Sequence, residues 1–165
     1  MIISNSSPLI HLTRLGKIDY LITKEESIVI PTAVYNEVVI TGKERNYSES
    51  YIIEKYIKEG KILVNKLEKF EKNFYPPLGI GELEALELAK QKNIQLIIDD
   101  QKARNIAQIL KIQHQTTIAT IFELLLSKKI DNIEYKSNIK QYAENSWISA
   151  DIIQEYMERG ENYGG

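Results

Sequence analysis

Four acids and one amide hold the chemistry that this chain could perform: Glu37, Glu82, Asp99, Asp100 and Asn5. Glu82 lies in Gly79-Ile80-Gly81-Glu82-Leu83-Glu84-Ala85-Leu86-Glu87-Leu88-Ala89, a run with the composition of a helix. Three, four and seven positions further on stand Ala85, Leu86 and Ala89, so Glu82 shares a face with small and apolar side chains and is expected to point into the protein. Glu84 and Glu87 fall with Gln91 on a more polar face, and Glu84 is expected to point toward water. An inward carboxylate is costly unless it is paired, protonated or bound to a cation. For a lone Glu82, the favourable field of the first helical turn would be explanation enough.

Asp99 and Asp100 change that balance. Leu96-Ile97-Ile98 is too short and too continuously apolar for an amphipathic helix, and it fits a strand covered on both faces in a parallel α/β sheet. Ligands of such sheets bind beyond the carboxyl ends of the strands, which is where Asp99 lies. One of the two acids is expected to cap the following helix, residues 102–110, whose Ala103, Ala107 and Leu110 face inward. The other is then left for a ligand.

The elements that must carry these residues alternate. Ile2-Ile3 is a minimal first strand, followed by a helix with Ser6 or Ser7 as its cap, Pro8 in its first turn and Gly16 as its stop. Asn5 therefore stands at a strand end beside a helix N-terminus, the same kind of place as Asp99, where a turn or capping amide is the plainer reading. His11 is expected to be a packed or surface residue rather than a ligand. Ser27-Ile28-Val29-Ile30 reads as a second strand closed by Pro31, and residues 32–39 as a helix that puts Glu37 on the face of Ala33 and Val34, a second inward acid.

Further along, residues 51–57 suggest a helix and Lys61-Ile62-Leu63-Val64 a short strand. Lys66, Lys69 and Lys72 then alternate with Glu68 and Glu71, the pattern of a solvated face rather than a nucleic-acid patch, before Pro76-Pro77 breaks the chain. Beyond Asp100 come a brief strand over residues 111–114, a polar lead from Thr116 to Thr120 into the apolar helix of residues 121–126, and two more helices through Trp147 and Ile152-Ile153.

At 165 residues the chain is expected to form one domain, residues 1–161, with a flexible tail over 162–165. A formal net charge of −2 gives no global basic footprint, so any nucleic-acid contact must come from a local patch. The absence of Cys excludes disulfides, thiolate zinc sites and cysteine nucleophiles. Met1-Ile2-Ile3 enters a strand directly, without a charged leader and apolar signal core, and no apolar run approaches membrane-spanning length. The expectation is a soluble, cytoplasmic protein without a membrane partner.

Alternating strands and helices argue for an α/β fold with a parallel sheet and helices on both faces. Asn5, Glu37, Glu82 and Asp99 all fall at strand ends or on helix faces turned inward, and are expected to converge. Oxygen-only ligands suit a hard cation such as Mg2+ or Mn2+, while the lack of Cys and scarcity of His argue against zinc. A cation held in this way lowers the pKa of a bound water and neutralises charge on a phosphodiester under attack. Metal-dependent phosphodiester hydrolysis is the reaction class this predicts.

Several runs in order also resemble one family. Ser4-Asn5-Ser6-Ser7-Pro8-Leu9-Ile10, Ile30-Pro31-Thr32-Ala33-Val34-Tyr35-Asn36-Glu37-Val38, Gly81-Glu82-Leu83-Glu84-Ala85, Ile98-Asp99-Asp100 with Ala103-Arg104, and Thr120 with Leu124-Leu125-Leu126-Ser127-Lys128 are similar to the motifs of PIN domains. The branch they resemble is a mostly uncharacterised prokaryotic one related to the VapC-class toxin ribonucleases. The similarity runs from residue 2 to about residue 161, with Trp147-Ile148-Ser149 and Gly160-Glu161 matching the usual C-terminal end.

The resemblance implies a three-layer α/β/α sandwich around a mainly parallel sheet and an Mg2+- or Mn2+-dependent endoribonuclease site. By motif position Asn5 stands for the first acidic ligand, with Glu37, Glu82 and Asp99 as the second, third and fourth. Asp100, Thr120 and Ser6 would be supporting residues, and Arg104 would pair with Asp100 or meet RNA phosphate, the structural pairing being favoured. The implied partners are an RNA substrate, a small antitoxin protein and a second copy of the chain in a homo-dimer.

Two positions depart from the pattern. Asn5 offers a neutral amide oxygen where a negative ligand belongs, and so attracts a cation less; Ala119 replaces the usual Gly before Thr120. Three readings follow: an endoribonuclease, as the toxin of a toxin–antitoxin pair; a catalytically impaired relative that binds RNA or protein through the same cleft; and an unrelated nucleotide-binding domain. The third is disfavoured because no Gly-rich phosphate loop follows the first strand.

Overall fold

The computed structural model describes residues 1–67 and 77–164. The charge-alternating stretch with Lys69, Lys72, Glu68 and Glu71, and Pro76 after it, lie outside the described residues. The chain forms two compact units, Met1–Gln115 and Thr116–Gly165.

The first unit is built on a five-stranded sheet: β1 (Ile2–Ser4), β2 (Ile28–Pro31), β3 (Ile62–Asn65), β4 (Leu96–Ile97) and β5 (His114–Gln115). Their order is β3-β2-β1-β4-β5 and every pairing is parallel. The helices are α1 (Ser6–Arg14), α2 (Ile18–Glu25), α3 (Thr32–Tyr35) running into a π-helical segment (Asn36–Thr41) and α4 (Gly42–Glu44), then α5 (Ser48–Lys58), α6 (Ile80–Lys92) and α7 (Gln101–Ile109).

Alternation along the strands divides the core in two, because successive side chains leave opposite faces. Ile2, Ile28, Ile30, Ile62 and Ile97 pack with Leu9, Leu12, Leu21, Val34, Val38, Val39 and Ile53 from the helices on one side. Ile3, Val29, Leu96 and Ile98 pack with Ala85, Leu86, Leu88, Ala89, Ala103, Ile106 and Ala107 of α6 and α7 on the other. Two helical layers around a parallel sheet make the α/β/α sandwich expected from the sequence. Strands buried on both faces explain why these runs read as continuously apolar.

Local boundaries differ from the sequence expectation in instructive ways. Helix α1 starts at Ser6 with Asn5 as its N-cap residue, so neither Ser6 nor Ser7 caps it. The strand expected over residues 111–114 is confined to His114–Gln115, since Lys111 adopts a positive φ of 56° that an extended strand does not allow. Leu110, expected inward, is only half-buried.

In the second unit, α8 (Thr117–Leu126), α9 (Asn132–Glu144) and α10 (Ala150–Gly164) pack together. Helix α8 begins four residues before the expected apolar run, because the Thr116 side chain accepts from the Ala119 amide and caps it. Tyr135 is fully buried; its hydroxyl donates to the Tyr156 carbonyl at 2.6 Å, and Phe122 lies against both rings with centroids 6.0 and 5.9 Å away. Trp147 lies between α9 and α10 and is fully exposed. Helix α10 continues through Gly164, into the stretch expected as a tail. No described helix is long and apolar enough to cross a membrane.

Candidate functional site

The sheet order places a topological switch point at β1, whose neighbours β2 and β4 carry the chain away in opposite directions. Crevices at the carboxyl ends of such strands are where α/β sheets bind ligands. Ser4 is in register with Ile97, so the residues that leave β1 and β4 there are Asn5-Ser6-Ser7 and Ile98-Asp99-Asp100. Pro31 ends β2 at the same edge and leads through α3 to Glu37.

Asn5 is 4% exposed, and its backbone N–H donates to the Ile97 carbonyl at 3.4 Å. Although Asn5 occupies the N-cap position of α1, its side chain makes no capping bond. Its Oδ1 is buried and has no hydrogen-bond partner among the described residues. Buried acceptors are nearly always satisfied, so this atom marks a place where a donor or a cation belongs. The sequence reading of Asn5 as a plain capping amide is not what the geometry shows.

The four acids reach this region by different routes. The Ser6 hydroxyl donates to Glu37, and the Ser7 hydroxyl donates to Asp99 Oδ2 at 3.1 Å. Consecutive serines of α1 therefore hold carboxylates from two other elements. Glu37, expected to face inward, is an exposed residue, and its carboxylate turns back to Ser6. The π-helical segment is the reason: its wider turn rotates Glu37 off the face of Val34 and lets the successive Val38 and Val39 take the buried side.

Glu82 is half-buried, and its Oε2 accepts from the Gly79 backbone N–H at 2.8 Å, tying down the start of α6. Desolvation pushes its carboxyl above the ordinary range; the Gly79 hydrogen bond works against this, while the charges of Asp100 and Glu37 add to it. Glu82 thus lies within reach of the charges of two other acids. Asp100 caps α7, its Oδ1 accepting from the Ala103 N–H at 2.8 Å, as one of the paired aspartates was expected to do.

Arg104 does not form the expected ion pair with Asp100. Its guanidinium donates to the Gln101 side chain, and its Nε is buried without a partner among the described residues. The Asp100 carboxylate, turned back onto the Ala103 amide one turn earlier, is occupied as a cap. Thr120 belongs to the second unit, where it is buried and donates to the Thr116 carbonyl at 3.1 Å. His11, on α1, is buried; desolvation lowers its pKa, the Asp99 charge opposes that shift, and no ligand role is evident.

Two residues of the site were not legible as such. Glu84, expected in water, is half-buried and its Oε2 accepts from the Ala33 backbone N–H at 2.9 Å. Gly81 leaves the space into which the Glu37 carboxylate fits, since a Cβ there would lie 2.9 Å from both Oε atoms. The motif Gly81-Glu82-Leu83-Glu84 carried the signal, but only Glu82 was read from it as chemistry.

The donor chemistry suits a hard divalent cation: oxygens only, an unsatisfied amide oxygen, and surplus negative charge. The spacing does so only in part. No group of three or more His, Cys, Asp or Glu among the described residues is close enough to share an ion. Glu37 and Asp99 accept from the Ser6 and Ser7 hydroxyls and Glu82 from the Gly79 amide, each through one carboxylate oxygen, so these donors orient the carboxylates.

Comparison with known proteins gives the same fold. The family model DUF3368, described as a PIN domain, matches residues 1–162. A PilT N-terminus domain protein from the hyperthermophilic archaeon Sulfolobus solfataricus superposes with a TM-score of 0.51 at 19% identity, over 77% of this chain and 92% of that one. A domain of a functionally unknown protein from Methanocaldococcus jannaschii gives 0.45 at 19% identity, over 70% and 89%. No curated protein matches the chain.

Proposed function

The chain belongs to the PIN-domain family, whose members are usually nucleases, and from that premise we propose that it is a divalent-metal-dependent endoribonuclease. The observation that carries the reading is the buried, unsatisfied Asn5 Oδ1 at the sheet's switch point, beside the serines that hold Glu37 and Asp99. Asn5, Glu37, Glu82 and Asp99 would hold Mg2+ or Mn2+, which supplies an activated water and neutralises charge on the phosphodiester. Ser6 and Ser7 hold the Glu37 and Asp99 carboxylates in place, and Asp100 fixes the start of the helix that follows Asp99. The same reading takes RNA as the substrate, a small antitoxin protein as the restraining partner, and a homo-dimer as the assembly.

Two observations favour a second reading. Asn5 is neutral and no three carboxylates among the described residues group closely enough to share an ion, so a domain that retains the cleft but binds RNA or protein without cutting is the alternative.

A mixed RNA pool incubated with purified protein and Mn2+ or Mg2+, beside an EDTA control and an Asp99→Ala variant, separates the two. Metal-dependent cleavage lost in the variant is the expected result. No cleavage with either metal, restored by Asn5→Asp, would move the assignment to the binding role.

A further inference from the structure

Helix α3 has an irregular start. Its N-cap residue is Pro31, which has no side-chain acceptor to offer the first free amides of the helix. The missing cap comes from another element: Glu84 of α6 accepts from the Ala33 N–H at 2.9 Å, across 51 residues of sequence. Glu84 is half-buried, so water competes less for this bond than at a surface cap.

Glu37 stands four residues after Ala33 along the same continuous helical path. Fixing the Ala33 amide therefore fixes the phase of the turn that presents Glu37. The same α6 also receives the Glu37 carboxylate against Gly81 and carries Glu82 two residues before Glu84. One helix start thus sets both the anchor and the seat of an acid borne by another helix. The winding changes at Asn36, one residue before Glu37, so the direction of Glu37 depends on the turn that the Ala33 anchor holds as well as on the buried Val38 and Val39 beyond it.

We propose that Glu84 is a positioning residue of the metal site, acting through the Ala33 amide to hold Glu37 at the cleft. The proposal rests on Glu37 being a ligand in the nuclease reading. Partners hydrogen-bonded to a ligand typically contribute roughly ten- to hundred-fold to metal affinity; Glu84 acts one step further out, through the Ala33 amide, and belongs at the lower end of that range.

The test measures Mn2+ binding by the EPR signal of free Mn2+, with RNA cleavage measured in parallel, for the wild-type chain, Glu84→Ala, Glu84→Gln and Asp131→Ala. Asp131 caps α9 through the Glu134 N–H at 2.8 Å, so its removal costs a cap of the same kind in the other unit. Expected are an Mn2+ affinity weakened about tenfold or more in Glu84→Ala, near-normal affinity in Glu84→Gln, which keeps the acceptor, and unchanged affinity in Asp131→Ala despite its lower melting temperature. Should Glu84→Ala fail to fold, Glu84→Asp, shorter by one methylene, is read in its place.

Unchanged affinity in Glu84→Ala, equal losses in Asp131→Ala and Glu84→Ala, or no Mn2+ binding by the wild type would each overturn the proposal. Wild-type protein that binds Mn2+ but cuts no RNA would instead overturn the nuclease reading, while the binding series still decides the role of Glu84.

Discussion

The Glu37 carboxylate lies against the backbone of Gly81, so close that a β-carbon on Gly81 would stand 2.9 Å from both of its oxygens. The obstructing atoms are the far end of a flexible side chain, which can swing aside at little cost. Alanine is also the better helix former, by up to about 1 kcal/mol. Gly81→Ala is therefore expected to keep or slightly raise the melting temperature while lowering metal-dependent cleavage at least tenfold. Thermal melts run beside cleavage assays check this, and a variant with normal cleavage would remove Glu37 from the site.

Glu82 gives a pH signature. Its folded-state pKa is raised by desolvation, and further by Asp100 and Glu37, so its contribution to stability is intact below the ordinary carboxylate range and is lost as pH rises through the folded value. Glu82→Gln removes the charge and keeps an acceptor for the Gly79 N–H. In metal-free protein the variant should melt higher at neutral pH, with the difference vanishing at pH 4 and below. Melting curves across that range in EDTA are the check, and a variant less stable at neutral pH contradicts the assignment.

Asn5→Asp adds a further negative group beside the acids, at a position that is 4% exposed. Without metal it should destabilise the fold, as a buried unpaired charge does. Saturating Mn2+ should reverse this, since a ligand at a hundred times its Kd stabilises by about 2.7 kcal/mol. The Mn2+-induced rise in melting temperature should thus be larger in the variant than in the wild type, and EDTA should abolish it in both.

The second unit offers a prediction independent of the site. A β-carbon on Gly160 would meet Tyr135 Cε1 at 2.2 Å and Cδ1 at 2.7 Å, and that ring is buried and held by the Tyr156 carbonyl. Gly160→Ala should cost about 1–3 kcal/mol, as overpacking does in a filled core. Denaturant unfolding reads this directly, and a loss below the error of the method would show that α9 and α10 can separate freely.

The layers were legible because burial on both faces writes apolar runs into each strand, as in Leu96-Ile97-Ile98, and 3.6-residue spacing writes the helices between them. The partnership of Asp99 and Asp100 was legible for the same reason, a strand end followed by a helix start. Glu37 was read with the wrong exposure because regular periodicity does not encode a π turn, and from Asn36 onward the phase departs from it. Glu84 was read as solvated because its partner amide at Ala33 belongs to a different helix, and only the tertiary fold brings the two together. Arg104 was assigned to the nearest acid, whereas that acid was already committed to capping its own helix.

The central place of β1 has a kinetic consequence. Its edges are completed by β2 on one side and, much later in the chain, by β4 on the other. A growing chain releases residues at about 5–20 per second, so Asn5 and Ser7 emerge seconds before Asp99 exists to join them. Until Leu96–Ile97 docks, β1 presents an edge of unpaired backbone N–H and C=O groups, and long-range parallel pairings of this kind form slowly. Asp99 thus joins the other candidate residues only after the last inner strand has been made, and an incomplete chain carries Asn5, Glu37 and Glu82 without it.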